Sequence, residues 1–134
     1  MEKKVSIEYR VPYADTDQMK VVYYANYFRY YEMLRNELIR KSGVSYAEIE
    51  EKGLAFPVLE AHCEYHKSAK YDDILLITGW LSKVEGSRMQ IDYEITTGGE
   101  LLTTGNTVHV VITLDGKPRR VPEYMKAMLV SPAS

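Results

Sequence analysis

Cysteine is almost absent from this chain. Cys63 is the only one in 134 residues, so no internal disulfide framework can form and a small secreted disulfide scaffold is excluded. Excess charge is missing too. A net charge of −2 gives no electrostatic footprint for nucleic acid or an anionic membrane. No run of ~20 apolar residues is available to span a bilayer. Met1-Glu-Lys-Lys-Val-Ser-Ile7 alternates in polarity and lacks the apolar stretch of a signal peptide. There is no internal repeat, linker or low-complexity segment. What remains, 46% apolar and 27% charged residues, is ordinary for a soluble globular protein. The length fits one domain over residues 1–134 with its own core. A cytoplasmic enzyme or binding protein is the expectation.

Phenylalanine is scarce, and tyrosine takes its place: two against twelve. A tyrosine buries its ring but keeps a hydroxyl that needs a partner. Such a surplus points to partly polar pockets or subunit interfaces.

Residues 4–12 alternate in polarity, with Val5, Ile7, Tyr9 and Val11 on one face, and predict a half-buried strand ended by Pro12. A short acidic loop with Asp15 and Asp17 follows. From about Tyr23 to Lys41 the apolar spacing becomes helical, with Tyr23, Tyr27, Tyr30, Leu34 and Leu38 in one stripe. Gly43 stops this helix. Ser45 with Glu48 forms the capping box of a shorter helix across 45–51. From Gly53 onward the period is 2, predicting strands over 56–67, 74–84, 88–96 and 101–114, with a hairpin turn at Thr97-Gly-Gly-Glu100. Residues 123–129 predict a short terminal helix. The order is strand, long helix, then four strands in a meander. One helix does not cover a five-stranded antiparallel sheet on both faces, so an α+β fold with the sheet curved around the helix, paired between subunits, is expected.

The loop–helix junction carries the chemistry. A helix start supplies backbone N–H donors and a positive dipole end, and the loop holds a carboxylate beside them. A carboxylate so placed can attack an activated carbonyl or direct water at it. Asp15 and Asp17 each admit a plainer reading as turn or cap residues. His62, Glu64 and His66 share a strand face, but with ~6.6–7 Å between successive positions they cannot all bind one ion, and no metal site is expected. Cys63, on an apolar face with Ala61 and Tyr65, reads as packing.

The stretch Asp15-Thr-Asp-Gln-Met-Lys-Val-Val-Tyr-Tyr-Ala-Asn-Tyr-Phe-Arg-Tyr-Tyr-Glu32 resembles the signature of the hotdog-fold acyl-CoA thioesterases. The nearest group is the 4-hydroxybenzoyl-CoA thioesterase family with its short-chain acyl-CoA branch. Tyr71-Asp-Asp-Ile74 and Val121-Pro-Glu-Tyr124 extend the resemblance over nearly the whole chain. It implies a hotdog fold, a homodimer or homotetramer, and hydrolysis of a short-chain or aromatic acyl-CoA. No cofactor is implied beyond coenzyme A as part of the substrate. On the matching positions, Asp17 is the nucleophile or general base and Asp15 the structural aspartate. The backbone N–H of Tyr24 polarises the thioester carbonyl. Asn26 and Tyr27 lie near the same helix end. The resemblance also implies coenzyme A contacts from Ser87 and Arg88, while Arg119 and Arg120, with Lys117, form a second basic cluster suited to its phosphates.

Two positions depart from the pattern. Lys20 stands where the family usually has glycine, and Tyr24 replaces the histidine of the short-chain branch. Within the fold the rivals are an acyl carrier protein thioesterase and a dehydratase. The latter needs a histidine base in or beside the central helix, and His62, His66 and His109 all fall on predicted strands. A non-catalytic acyl-CoA-binding or scaffold protein is the rival from another class.

Overall fold

The computed structural model describes residues 3–130. In chain order these form β1 (Val5–Arg10), α1 (Asn26–Lys41), α2 (Tyr46–Glu51), β2 (Leu54–Ala55), β3 (Val58–Tyr65), β4 (Ile74–Glu85), β5 (Arg88–Thr97), β6 (Glu100–Val110), β7 (Ile112–Thr113) and α3 (Glu123–Lys126). Five strands make one antiparallel sheet in the order β1-β4-β5-β6-β3, and β2 pairs with β7 beside it. This corrects the expected four-strand meander. Only β4, β5 and β6 follow one another as hairpins. β3 pairs with β6 at the far edge, Cys63 opposite Gly105, while β1 lies beside β4, Ile7 opposite Ile77. The 66–73 connection explains the order: it passes under the helix start, where fully buried Ala69 donates its N–H to the Tyr27 hydroxyl at 3.0 Å.

Helix α1 forms where apolar side chains recur every three to four positions. Tyr27, Tyr30, Tyr31, Leu34 and Leu38 are all at most 2% exposed, and the helix packs chiefly against β4 and β1. Burying a leucine in such a stripe stabilises by about 1.5–3 kcal/mol. Two mid-strand glycines, Gly79 beneath Leu34 and Gly105 beneath Tyr31, let the helix approach this closely. Gly43 follows the helix with φ 102°, a conformation open to glycine at low cost. In α2 the Ser45 hydroxyl accepts the Glu48 N–H at 3.2 Å. The reciprocal arm of the capping box is redirected, since the Glu48 carboxylate takes the Ser45 hydroxyl instead of its amide.

The helix starts at Asn26 and not at Tyr23, which is 46% exposed outside the buried stripe. The final strand breaks at Val111, whose N–H donates to the Ser87 carbonyl. The terminal helix ends at Lys126. Among the described residues no helix is long and apolar enough to cross a membrane. The helix laid across a five-stranded antiparallel sheet is the hotdog architecture.

Candidate active site

Between β1 and α1 the chain folds back on itself. Thr16 donates its hydroxyl to the Tyr13 carbonyl at 2.7 Å, tying the loop. Asp17 then opens a tight turn in which its carbonyl accepts the Lys20 N–H, and its N–H donates to Val21, both at 2.9 Å. The exposed Asp17 carboxylate folds onto this turn, with Oδ1 accepting the Met19 N–H at 2.8 Å. Such a bond fixes the rotamer of one oxygen through the other. Lys20 closes the turn at φ 64°, a left-handed conformation that glycine adopts freely and a side chain at a cost. The turn at this departure from the family pattern therefore takes a glycine-like shape despite its lysine. Lys20→Gly is expected to keep the turn and change stability by less than about 1 kcal/mol, because relief of strain is offset by a freer unfolded chain. Lys20→Val is expected to destabilise clearly; thermal melting of the two variants checks this pair.

Asp15 is turned the other way, into the protein at 8% exposure. Its Oδ2 accepts the hydroxyls of Tyr30 at 2.7 Å and Tyr9 at 3.0 Å and pairs with Arg29 at 2.6 Å. Burial pushes this carboxyl up, but the bonds from Tyr30, Arg29 and Tyr9 and the Arg29 charge outweigh it, leaving it below its ordinary value. The Asp15 carbonyl is used as well, accepting the Tyr23 N–H at 3.0 Å and the Asn26 side-chain amide at 2.9 Å. One residue thereby joins β1, the loop and the first turn of α1.

Those bonds set the helix entrance. Val22 donates its N–H to Ala69, and Tyr23 to Asp15. Asn26, Tyr27 and Phe28 donate to the carbonyls of Tyr23, Tyr24 and Ala25 in three-residue turns. Among the described residues the amides of Tyr24 and Ala25 have no acceptor. The free donors thus precede the helix and do not belong to its first turn. The Tyr24 ring is 60% exposed. The Tyr23 hydroxyl is held above its ordinary range first by the Tyr24 hydroxyl and, more weakly, by the Asp17 carboxylate, and the antiparallel bridge of Thr16 to Val22 sets Asp17 beside the segment that leads into this tyrosine pair. Tyr27 is 2% exposed and its hydroxyl is spent on Ala69. Asn26 is half-buried and spent on Asp15.

The other candidates gather elsewhere. Arg88 opens β5 and Ser87 precedes it; Arg119 donates its N–H to Val111, and Val121 donates to Gly86. This brings Ser87, Arg88, Arg119 and Arg120 to one end of the sheet, with both Arg119 and Arg120 exposed. Arg88 and Lys83 also line a groove of about 490 Å³ with Glu60, His62 and Glu64. Asp17 lies at the opposite end, by the start of β4. The ten residues of β5 span about 30 Å at ~3.3 Å per residue, so one protomer does not bring the basic cluster to Asp17. His62 pairs with Glu60 and His66 bonds Thr104; among the described residues no group of three or more His, Cys, Asp or Glu is placed to hold a metal ion.

The sequence profile of the Thioesterase-like superfamily matches residues 11–129. The chain belongs to this superfamily. Among its relatives, the acyl-CoA thioester hydrolase YbgC of Escherichia coli O157:H7 is 32% identical over 120 residues, covering 88% of this chain and 90% of that one. A DHNA-CoA thioesterase from Staphylococcus aureus superposes with a TM-score of 0.85 at 36% identity, over 92% and 85% of the two chains. At the level of fold, a 4-hydroxybenzoyl-CoA thioesterase variant complexed with 4-hydroxybenzoyl-CoA matches with a TM-score of 0.87 at 17% identity, over 96% and 100%.

In this thioesterase His109, placed on a strand from the sequence but given no role there, lies on β6. It lies beside the C-terminal half of α1, lining a cavity of about 690 Å³ with Arg35 and Ile39, yet is only 2% exposed. Both ring nitrogens are engaged, Nδ1 with the Phe56 carbonyl at 2.9 Å and Nε2 with Thr107 at 2.8 Å. Burial lowers its pKa to about 4, which keeps it neutral. The unfolded chain protonates this histidine near 6.5 and the folded chain resists until about 4, so stability falls as pH drops through that window, by about 2 kcal/mol at pH 5. Asp15 has the other pattern for acid loss: its contribution is complete above the ordinary carboxylate range and disappears as pH falls through its depressed folded value. Urea midpoints at pH 7, 6 and 5 should decline, and His109→Gln should flatten that decline. The signal available in the sequence was weak: one histidine on the apolar-facing register of a strand.

Proposed function

We propose that this thioesterase hydrolyses a short-chain or aromatic acyl-CoA to the free acid and CoA. The observation that carries the reading is a free Tyr24 amide between tethered neighbours, in the same neighbourhood as a carboxylate held by one oxygen. The Tyr24 N–H polarises the thioester carbonyl and stabilises the charge that develops on its oxygen. Asp17 acts in one of two balanced ways. As general base it takes a proton from water as the hydroxide forms the new C–O bond; the C–S bond then breaks and the thiolate leaves with a proton. As nucleophile it forms a mixed anhydride and expels the thiolate, and water then cleaves the anhydride. The relatives' acyl-CoA and DHNA-CoA substrates support the carrier and an aromatic option for the acyl group. The exposed rings of Tyr23, Tyr24 and Tyr65 around the free amide support it too.

The binding end of the substrate requires a second copy in this reading. Arg88, Arg119 and Arg120 suit the phosphates of coenzyme A, but about 30 Å separates them from Asp17 within a protomer. β3 is an edge strand with Val58 and Leu59 each 46% exposed. Unpaired edges of this kind take up another strand. A homodimer or homotetramer, with the basic cluster of one subunit serving the Asp17 of another, follows. A panel of aliphatic and aromatic CoA thioesters, with thiol release as readout, tests the activity. Turnover of an aryl member over long alkyl members is the expected result, and absence of turnover with every member overturns the reading.

A further inference from the structure

The Tyr24 amide is held in place from both sides along the chain. Upstream, Val22 is bonded to Ala69 and Tyr23 to Asp15, and the Tyr23 carbonyl, in the same peptide plane as the Tyr24 amide, accepts the Asn26 N–H at 2.9 Å. Downstream, the Tyr24 carbonyl accepts the Tyr65 hydroxyl at 3.1 Å, across 41 residues of sequence. Tyr65 is the last residue of β3, so this bond ties the edge strand to the helix entrance. Among the described residues the only other bond to that carbonyl is the long one from the Tyr27 N–H, at 3.4 Å. Without Tyr65 the Tyr24–Ala25 peptide keeps a single weak anchor.

The Tyr65 ring is placed as well as the hydroxyl. It meets Tyr27 edge-on at 5.5 Å and Tyr24 edge-on at 6.3 Å, geometries favoured by aromatic quadrupoles. Tyr27 is fixed in turn by Ala69. The ring is nevertheless 47% exposed, so packing alone does not account for its position. Neighbouring burial and the Cys63 thiol raise the hydroxyl to about 12, which keeps it protonated and able to donate at any working pH.

We propose that Tyr65 is a positioning residue of the thioesterase site: by donating to the Tyr24 carbonyl it fixes the Tyr24–Ala25 peptide, and together with the Asn26 bond to the Tyr23 carbonyl it holds the backbone from which the free Tyr24 amide points. The inference rests on the proposed role of Tyr24. An amide aimed at developing oxyanion charge contributes mainly in the transition state, so its misalignment lowers kcat and leaves ground-state binding alone.

Tyr65→Phe removes the donor and keeps the ring. The expected result is a fall in kcat of about fivefold, the worth of one ordinary hydrogen bond, with KM, the Kd for free CoA and the melting temperature near wild type. Tyr65→Leu also removes the edge-on contacts, and its melting temperature drops. A purely structural Tyr65 would show the opposite split, with Tyr65→Phe losing stability or nothing and kcat unchanged. That outcome overturns the proposal. Assaying wild type and Asp17→Asn beside it separates the two readings. If wild type turns over, Asp17→Asn does not, and Tyr65→Phe equals wild type, the positioning role fails alone. If wild type has no activity on the panel, the thioester reading fails first and this inference falls with it.

Discussion

Replacing Asp17 by asparagine is expected to lower kcat by about 10²–10⁴-fold, the usual loss of a general base, while the folded protein survives. Both halves of this expectation follow from the turn. The carboxylate is exposed and uses Oδ1 to accept the Met19 N–H at 2.8 Å. Asparagine keeps a carbonyl oxygen there, so the turn, the Lys20 conformation and the tethered Tyr23 should persist. What disappears is the basic and nucleophilic second oxygen, and an amide supplies neither property at neutral pH. Thiol release from CoA thioesters measures the first half, and circular dichroism with thermal melting the second. Full activity in a folded Asp17→Asn variant removes Asp17 from the mechanism. Unfolding of the variant would instead give Asp17 a structural role, and Asp17→Ser then serves as a second check on activity. A single turnover in heavy-oxygen water divides the two routes. Anhydride cleavage at the Asp17 carbonyl places label in the protein and identifies the nucleophilic route, whereas cleavage at the acyl carbonyl, like direct attack by water, places it only in the released acid; trapping the anhydride with hydroxylamine then distinguishes these two.

The two aspartates illustrate how much of the site was legible in the sequence. Their separation by one residue is visible there, and so is their placement before a helix. The division of labour is legible only in part: the structure sends Asp15 inward to Tyr9, Tyr30 and Arg29 and leaves Asp17 on the surface. Of the two tyrosine hydroxyls that satisfy Asp15, Tyr9 comes from β1 and Tyr30 from the helical stripe that reads as apolar, because a periodic pattern locates a ring and says nothing of where its oxygen goes. The first turn of α1 was misplaced for a similar reason. Tyr23 continues the periodic stripe, but the Asp15 carbonyl captures its N–H and the Asn26 side chain, and that non-local bond overrides periodicity. Strand identity was readable from alternation, but strand order was not. Alternation carries no information about partners, and the crossing of 66–73 beneath Tyr27 is held by non-local bonds such as those of Ala69 to Tyr27 and Val22 and of Asp73 to Val11. The distance between Arg88 and Asp17 belongs to the same class of fact, since both positions look equally close to a site until the sheet is assembled.

Gly105→Ala is expected to destabilise the protein by about 3 kcal/mol, at the upper end for overpacking a well-filled core. A methyl group at this position would lie 2.5 Å from the His62 carbonyl, 2.7 Å from Tyr31 Cε2 and 2.8 Å from the Tyr31 hydroxyl. The first neighbour is backbone of the paired strand and has no rotamer by which to withdraw. The second is the edge of a fully buried ring stacked on Tyr93 at 4.3 Å, with its hydroxyl bonded to Thr103 at 2.8 Å. Either β3 moves outward or α1 lifts from the sheet, and each movement breaks bonds, the β3–β6 ladder in the first case and Tyr31–Thr103 in the second. Gly79→Ala is a graded control. Its methyl would press on Leu34 Cδ1, with backbone no closer than 3.1 Å, and a leucine end can rotate, so the loss should be smaller. Because Gly105 pairs with Cys63, two residues before Tyr65, displacement of β3 should also reach the Tyr65–Tyr24 bond. Thermal melting ranks the two glycine variants, and a kcat loss in Gly105→Ala below its melting temperature reports the displaced tyrosine. Equal melting temperatures for Gly105→Ala and wild type would mean that the helix does not rest on the sheet at this glycine.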